Sequence, residues 1–308
     1  MRTAFIQALC ELAGQDERVW LLTGDLGYSV LERFAAAFPK RYVNVGVAEQ
    51  NLASIAGGLA RCGKIPFIYS IANFPTLRCL EQIRNDICYH EGNVKVVAVG
   101  GGFSYGAQGY THHGVEDIAI MRALPGMTVI APGDPVETRL ATQAIGEHCG
   151  PCYLRLGKAS EPVVHETEPD FELGRAIEMR HGNDMTLIST GAMLQESVKV
   201  ADRLAQQGIA VRVLSMHTVK PLDEQAVIRA GLETGGIITV EEHRVTGGLG
   251  SAVADVLAQS LTRLPRFQKF GVTDELYHQI GSQAYLRRQL AGDLFETARR
   301  LIPRRMAA

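Results

Sequence analysis

Hydrophobic positions along the chain fall into short uninterrupted runs separated by longer amphipathic stretches. In the first half the runs are VWLLTG (19–24), YVNVGV (42–47), IPFIYS (65–70), VKVVAVG (94–100), MTVIAP (127–132) and CYLRL (152–156). Runs of this length without polar alternation are strands covered on both faces, and amphipathic stretches such as FPTLRCLEQIRNDI are the helices that cover them. The pattern predicts a parallel sheet in an α/β layer domain over residues 1–158. A polar stretch with Glu, Pro and no clear period, KASEPVVHETEPDFELG (158–174), marks a linker, set at 159–175. The alternation then restarts with MTLIST, LQESVKVADRLAQQG, VRVLS, LDEQAVIRAGLET, GIITVEE, GGLGSAVADVLAQSL and FQKFGV. It predicts a second, smaller α/β domain over 176–308, so the expected fold is two three-layer α/β domains. A single last helix is expected at about 283–302, and its basic end, RRLIPRR, suits a helix C-terminal dipole.

Composition narrows the function classes. The chain has 308 residues, 46% hydrophobic and 21% charged, which suits about two globular domains at roughly 100–200 residues each. A net charge of −2 with no basic run excludes a polyanion-binding surface, so neither nucleic acid nor an anionic membrane is an expected partner. No apolar stretch approaches the roughly 20 residues that span a bilayer, and the first residues carry acids where a signal peptide needs an apolar core. A cytoplasmic protein is expected. The six cysteines lie mostly in helical patterns beside Ala and Leu, as reduced core residues do. Cys149-Gly150-Pro151-Cys152 has the spelling of a thioredoxin motif, but that chemistry needs its first thiolate at a helix N-terminus reached from a strand. Here the motif follows ETRLATQAIGEH and leads into YLRL, so it reads as a helix-to-strand turn.

Ligands in such sheets gather at the C-terminal ends of the strands. Those ends carry Thr23-Gly24-Asp25, then Glu49 at the start of an Ala- and Gly-rich helix, then Phe74, then the segment GGGFSYGAQGYTHH. Taken singly, each has an ordinary structural account: a helix-capping acid, a core ring, a turn, a polar loop. Together they carry more. GVAEQN before a Gly-rich helix, then PFIYSIANFPTLRCLEQIR, then GAQGYTHHGVEDIAIMRALPGMTVIAPGDPVET resemble the C-terminal half of transketolases and of the related deoxyxylulose-phosphate synthases. ITVEEH followed by GGLGSAVADVL is similar to their C-terminal domain, so the resemblance covers nearly the whole chain.

The resemblance implies thiamine diphosphate as cofactor. The C2 proton of its thiazolium is removed by its own 4′-imino group, which requires a proton at N1′ of the pyrimidine. A carboxyl group in a low-dielectric cleft can share that proton at neutral pH. By resemblance Glu49 is that acid, Phe74 is the ring on which the aminopyrimidine stacks, Asp25 lines the cofactor side, and Ile71 stands where many members have another Phe. Arg2 and Ser29 fall where transketolases place sugar-phosphate contacts. His112 matches a histidine that touches the donor ketose and its carbonyl oxygen, making it the second catalytic candidate; its ordinary alternative is a surface histidine. Three substrate positions depart from the pattern. Lys158 replaces an arginine, giving a point charge in place of a bidentate fork. Gly100 takes the place of a phosphate- and hydroxyl-binding histidine. Gln108 replaces an acid that reads the donor's α-hydroxyl, which should change the preferred hydroxyl pattern.

In the family, a separate N-terminal domain bearing a Gly-Asp-Gly motif holds the diphosphate and its Mg2+ (or Ca2+). The Gly-Asp pairs here, at 24–25, 133–134 and 292–293, are followed by Leu, Pro and Leu. No metal site is therefore expected in this chain, which starts where the pyrimidine-binding domain starts in the full-length enzymes. The resemblance implies one subunit of a split transketolase-like enzyme that transfers a two-carbon ketol unit from a ketose or keto acid to an aldehyde. The expected partner is a separate diphosphate-binding subunit of about 250–300 residues, in an α2β2 heterotetramer. The rival enzyme is the β subunit of an oxo-acid dehydrogenase complex, against which the THH segment and GVEDIAIMRALPGM argue. A non-catalytic assembly or regulatory protein that kept the fold is the rival from another class.

Overall fold

The computed structural model describes residues 1–158 and 161–302. Its strands are β1 Val19–Thr23, β2 Tyr42–Asn44, β3 Ile65–Ile71, β4 Lys95–Val99, β5 Thr128–Ile130, β6 Cys152–Leu156, β7 Ile177–Arg180, β8 Met185–Ser189, β9 Val211–Ser215, β10 Thr218–Lys220, β11 Gly236–Arg244 and β12 Arg266–Val272. One sheet runs β10-β5-β6-β4-β3-β1-β2 and the other β12-β11-β8-β9-β7. All neighbouring pairs are parallel except β10 with β5 and β7 with β9. Every residue of β4 and β6 is buried, Lys95 and Arg155 included, as strands with helices on both faces require.

Pairing register decides where the loops emerge. Thr23 pairs with Tyr69 and Ile71 with Val99, so β1, β3 and β4 end side by side and send their following loops to one rim. One apolar cluster joins the halves, running from Ile68 and Val96 of the first sheet to Ile188 and Leu214 of the second. Phe5 and Leu9 of the helix Arg2–Gln15 cover the other face of the first sheet, against Phe67 and Tyr69.

Several elements differ from the sequence expectation. The run 42–47 is a strand only to Asn44, because Asn44 Oδ1 accepts from Gly46 N and turns the chain, with Gly46 at φ +73°. Strands β7 and β10 have no counterpart among the predicted strands; β10 comes from the second half and lies on the edge of the first sheet. The stretch after β3 is two π-helical segments, Phe74–Arg78 and Ile83–Cys88, around the short helix Leu80–Gln82. Pro75 has no N–H to donate in the first of them. The last helix is two, Gln283–Leu290 and Leu294–Leu301. Gly292 turns at φ +88°, and the Asp293 side chain caps the second by accepting from Glu296 N. Arg304 and Arg305 of the basic end lie outside the described residues.

Residues 161–174 contain no helix or strand but are tied down: Asp134 Oδ2 accepts from Val164 N (2.8 Å) and His165 N (3.1 Å). The turn between the helix Pro135–Glu147 and β6 is organised by Lys95, fully buried on β4. Its Nζ donates to the His148 and Gly150 carbonyls at 2.7 and 2.8 Å. All six cysteines are free, and burial raises the Cys152 thiol despite the nearby Lys95, so the CGPC stretch serves the backbone here.

Candidate functional site

Glu49 opens the helix Glu49–Arg61 at the rim where the first sheet's loops emerge. That helix lies close to the Ile83–Cys88 segment: a Cβ on Gly57 would come 2.8 Å from the Asp86 carbonyl, so only glycine permits the approach. The packing leaves Glu49 only 5% exposed. A buried carboxylate needs a partner, and Arg78 supplies it, with Nη1 3.3 Å from both carboxylate oxygens. The same guanidinium lies over the Phe74 ring, 4.2 Å from its centroid. The turn Phe74–Arg78 has residues 74 and 78 on one side, so the cation lies over the aromatic and is bonded to the acid.

From Phe74 a line of contacts leads across the rim. The His112 ring stands edge-on to Phe74 at 5.4 Å, and Tyr105 lies 6.4 Å beyond it. Lys158 Nζ sits 5.0 Å over the Tyr105 ring, and the Arg2 charge acts on both Tyr105 and Tyr69. At Gly100, φ +88°, a Cβ would meet Tyr105 at 2.2 Å, so that ring fills the room a side chain at 100 would take. Asn73 Nδ2 donates to the Thr111 carbonyl (3.2 Å) and the His113 carbonyl (2.7 Å), tying the His112 loop to the end of β3. Behind it the buried Arg155 donates from Nε to Asp117 (2.7 Å) and from Nη2 to the Gly114 carbonyl (2.6 Å) and the Glu242 carbonyl (2.9 Å). Burial, then the neighbouring His113 and Arg78, hold the His112 imidazole below the ordinary histidine value. It is therefore neutral near pH 7, with Nδ1 3.0 Å from the Thr111 hydroxyl.

The remaining sequence candidates lie around this line. Asp25 is joined to the approach to Glu49 through Asn44, whose Oδ1 accepts from Asp25 N (3.0 Å) and whose Nδ2 donates to Asp25 Oδ1 (3.1 Å). Ser29 is in the same exposed turn, its N bonded to Glu32, and Asp25 and Ser29 both have positive φ, 57° and 62°. Gln108, exposed, ends the turn Gly106–Gln108, whose Gly106 is buried. Ile71 closes β3 and packs toward the cluster under the first helix. Arg78, Tyr105 and Asn73 belong to the site without being singled out by sequence reasoning. Only the spacing of Arg78 four residues after Phe74 hints at a shared face. Among the described residues no three His, Cys, Asp or Glu side chains gather as a metal-holding group.

The sequence model of the transketolase pyrimidine binding domain matches residues 1–162, and that of the transketolase C-terminal domain matches residues 174–287. The chain belongs to the transketolase family. Within it, this chain is 39% identical over 292 residues to the 6-deoxy-6-sulfo-D-fructose transketolase subunit of Clostridium sp. (strain MSTE9), covering 92% of this chain and 91% of that one. It is 40% identical over 261 residues to an apulose-4-phosphate transketolase subunit of Phocaeicola vulgatus, with 84% of each covered. A solved structure described as a split gene transketolase, inactive beta4 tetramer, superposes with a TM-score of 0.87 at 38% identity over 97% of both chains. Against the 1-deoxy-D-xylulose-5-phosphate synthase of Thermomicrobium roseum, 37% identical, this transketolase-family chain spans 47% of the length. The transketolase rim thus presents an acid, a stacking ring and a neutral imidazole in one row, beside two cations. That set can hold a flat cationic heterocycle and an oxygen-rich anion next to each other.

Proposed function

We propose that this chain is the pyrimidine-binding subunit of a split, thiamine diphosphate-dependent transketolase. It would move a two-carbon ketol unit from a ketose or keto acid to an aldehyde, with a separate subunit holding the diphosphate and its Mg2+ (or Ca2+) in an α2β2 assembly. The observation that carries this reading is the seat of the Arg78 guanidinium, over the Phe74 ring and bonded to both Glu49 oxygens. A planar heterocycle bearing a ring N–H would make the same two contacts, so the residues fit an aminopyrimidine.

When bound, thiamine diphosphate supplies a carbon nucleophile that it activates through its own pyrimidine. This chain's residues do the rest of the work at the rim. Glu49, shielded from water, would share a proton with the pyrimidine nitrogen, and Phe74 would hold the ring by stacking, a contact worth about 1 kcal/mol beyond its area. His112, neutral and with Nδ1 beside the Thr111 hydroxyl, turns Nε2 toward a donor oxygen. Gln108 offers an amide to a donor hydroxyl, and Asp25 bounds the cofactor side through Asn44. The two subunit relatives act on a sulfosugar and a sugar phosphate by name, and each substrate ends in an anion. Arg2 and Lys158 about Tyr105 offer charge of the matching sign, so an anionic donor is favoured.

The test mixes the chain with a partner subunit carrying the Gly-Asp-Gly domain and follows C2–H exchange of the cofactor by NMR. Glu49→Ala is expected to slow exchange at least about a hundredfold; exchange at the parent rate would remove Glu49 from its role and the reading with it. Transfer to an aldehyde, against reduction of a lipoyl group, separates the transketolase from the oxo-acid dehydrogenase reading.

A further inference from the structure

An aromatic residue of the second domain packs against the His112 loop. His113, only 1% exposed, has Nε2 3.1 Å from the Gly106 carbonyl and Nδ1 3.2 Å from the Tyr277 hydroxyl. A carbonyl can only accept, so Nε2 carries the hydrogen and Nδ1 accepts from Tyr277. Burial, followed by the field of Glu116, pushes the Tyr277 phenol far above its ordinary value and keeps it a donor. The two rings are also stacked, 5.7 Å apart at 15°, with Phe103 edge-on to His113 at 5.3 Å and to Tyr277 at 5.8 Å.

Tyr277 lies between β12 and the helix Gln283–Leu290, in a stretch that Arg244 holds in place. Arg244 Nη1 donates to the Thr273 carbonyl (2.8 Å) and the Glu275 carbonyl (3.3 Å), while Nε bonds Glu116 of the first domain at 2.9 Å. Further along, Gly281 N donates to the same Gly106 carbonyl at 3.3 Å. The arc that carries Gln108 and His112 is therefore pinned at both ends, Gly106 and His113, by groups of the second domain.

We propose that Tyr277 is a positioning residue for donor binding: its hydroxyl and ring fix the His113 imidazole, which fixes the Gly106 carbonyl, so the arc between them presents Gln108 and His112 in one arrangement. The inference rests on the reading of His112 as a donor contact. It assigns the second domain a part in choosing the donor.

Two measurements test it. In the full chain alone, 15N NMR of the histidine side chains is expected to show His113 as a single Nε2–H tautomer whose Nδ1 carries the shift of a hydrogen-bonded acceptor, and in Tyr277→Phe that Nδ1 is expected to move to the shift of a nitrogen without a donor, the tautomer staying as the Gly106 carbonyl sets it. In the complex with the partner subunit, Tyr277→Phe is expected to lower donor kcat/KM about fivefold, as loss of one buried hydrogen bond does, while the acceptor KM holds. His112→Ala separates the two layers of the argument. If that variant leaves donor kcat/KM unchanged, the donor reading of the loop fails. If it lowers donor kcat/KM but Tyr277→Phe changes neither that constant nor the His113 Nδ1 shift, the inference about Tyr277 alone fails. An Nδ1–H tautomer in the parent, or an equal loss toward donor and acceptor in Tyr277→Phe, overturns it as well.

Discussion

Glu49 and Arg78 form an uneven pair, the acid's side chain 6% exposed and the arginine's 53%. Water screens the arginine, so the ion pair itself is weak, yet its removal leaves a buried carboxylate with no cation. Arg78→Ala is expected to lower the unfolding free energy of the chain by about 1 kcal/mol, read from the urea midpoint. Adding Glu49→Gln to that variant should recover part of the loss, because the two changes act on one contact. His112 gives a second test on the pH axis. Its folded value lies below the ordinary 6.5 because burial and nearby positive groups disfavour the charged form. The neutral imidazole therefore persists to lower pH than in a free histidine, and the acid limb of donor kcat/KM should fall below pH 6.5. A limb above that value would contradict the neighbours assigned to it.

Elements are legible where burial leaves one answer. β4 and β6 are mostly apolar because both faces are covered, with Arg155 of β6 held by Asp117 and two carbonyls, and such runs have no competing reading as loops. The exception within β4 is Lys95, a buried cation that the apolar pattern alone does not explain. It is there for the carbonyls of His148 and Gly150, which follow the C-terminal end of the helix Pro135–Glu147. Lys95→Met should keep the strand but orphan those acceptors, costing about 2 kcal/mol by urea unfolding. Strands β7 and β10, of 4 and 3 residues, give too little period to be read. The break at Gly292-Asp293 is visible as letters, but the amphipathic pattern runs across it and favours one helix. At the site, Phe74 and Glu49 stand out through family resemblance. Arg78 does not, because a cation four residues after an aromatic is common on any helix face, and no local pattern says that this face meets Glu49.

Across the whole molecule, one buried junction links the two halves and the segment between them. Glu137 of the helix Pro135–Glu147 accepts from His165 Nε2 (2.8 Å) and from Ser215 Oγ of β9 (2.6 Å). Burial opposes both charges, but the bond between them prevails: it holds the Glu137 carboxyl below, and the His165 imidazole above, their ordinary values of 4.5 and 6.5. A lowered acid contributes stability above 4.5 that is lost as pH falls through its folded value. A raised histidine contributes fully below 6.5, and that part fades as pH rises through its folded value. His165→Asn should therefore cost most between about pH 5 and 6.5, and the gap to the parent should narrow in alkaline urea titrations. A constant gap would assign the histidine a packing role only.

The placement of β10 carries a further consequence for any attempt to cut the protein in two. Thr218 and Lys220 pair antiparallel with Ile130 and Val129, so residues supplied by the second half close the border of the first sheet. A fragment stopping at residue 158 would bare β5 as an unprotected ribbon of amide and carbonyl groups, an invitation to self-association. The two halves are joined less like beads on a string than like planks sharing a tongue and groove.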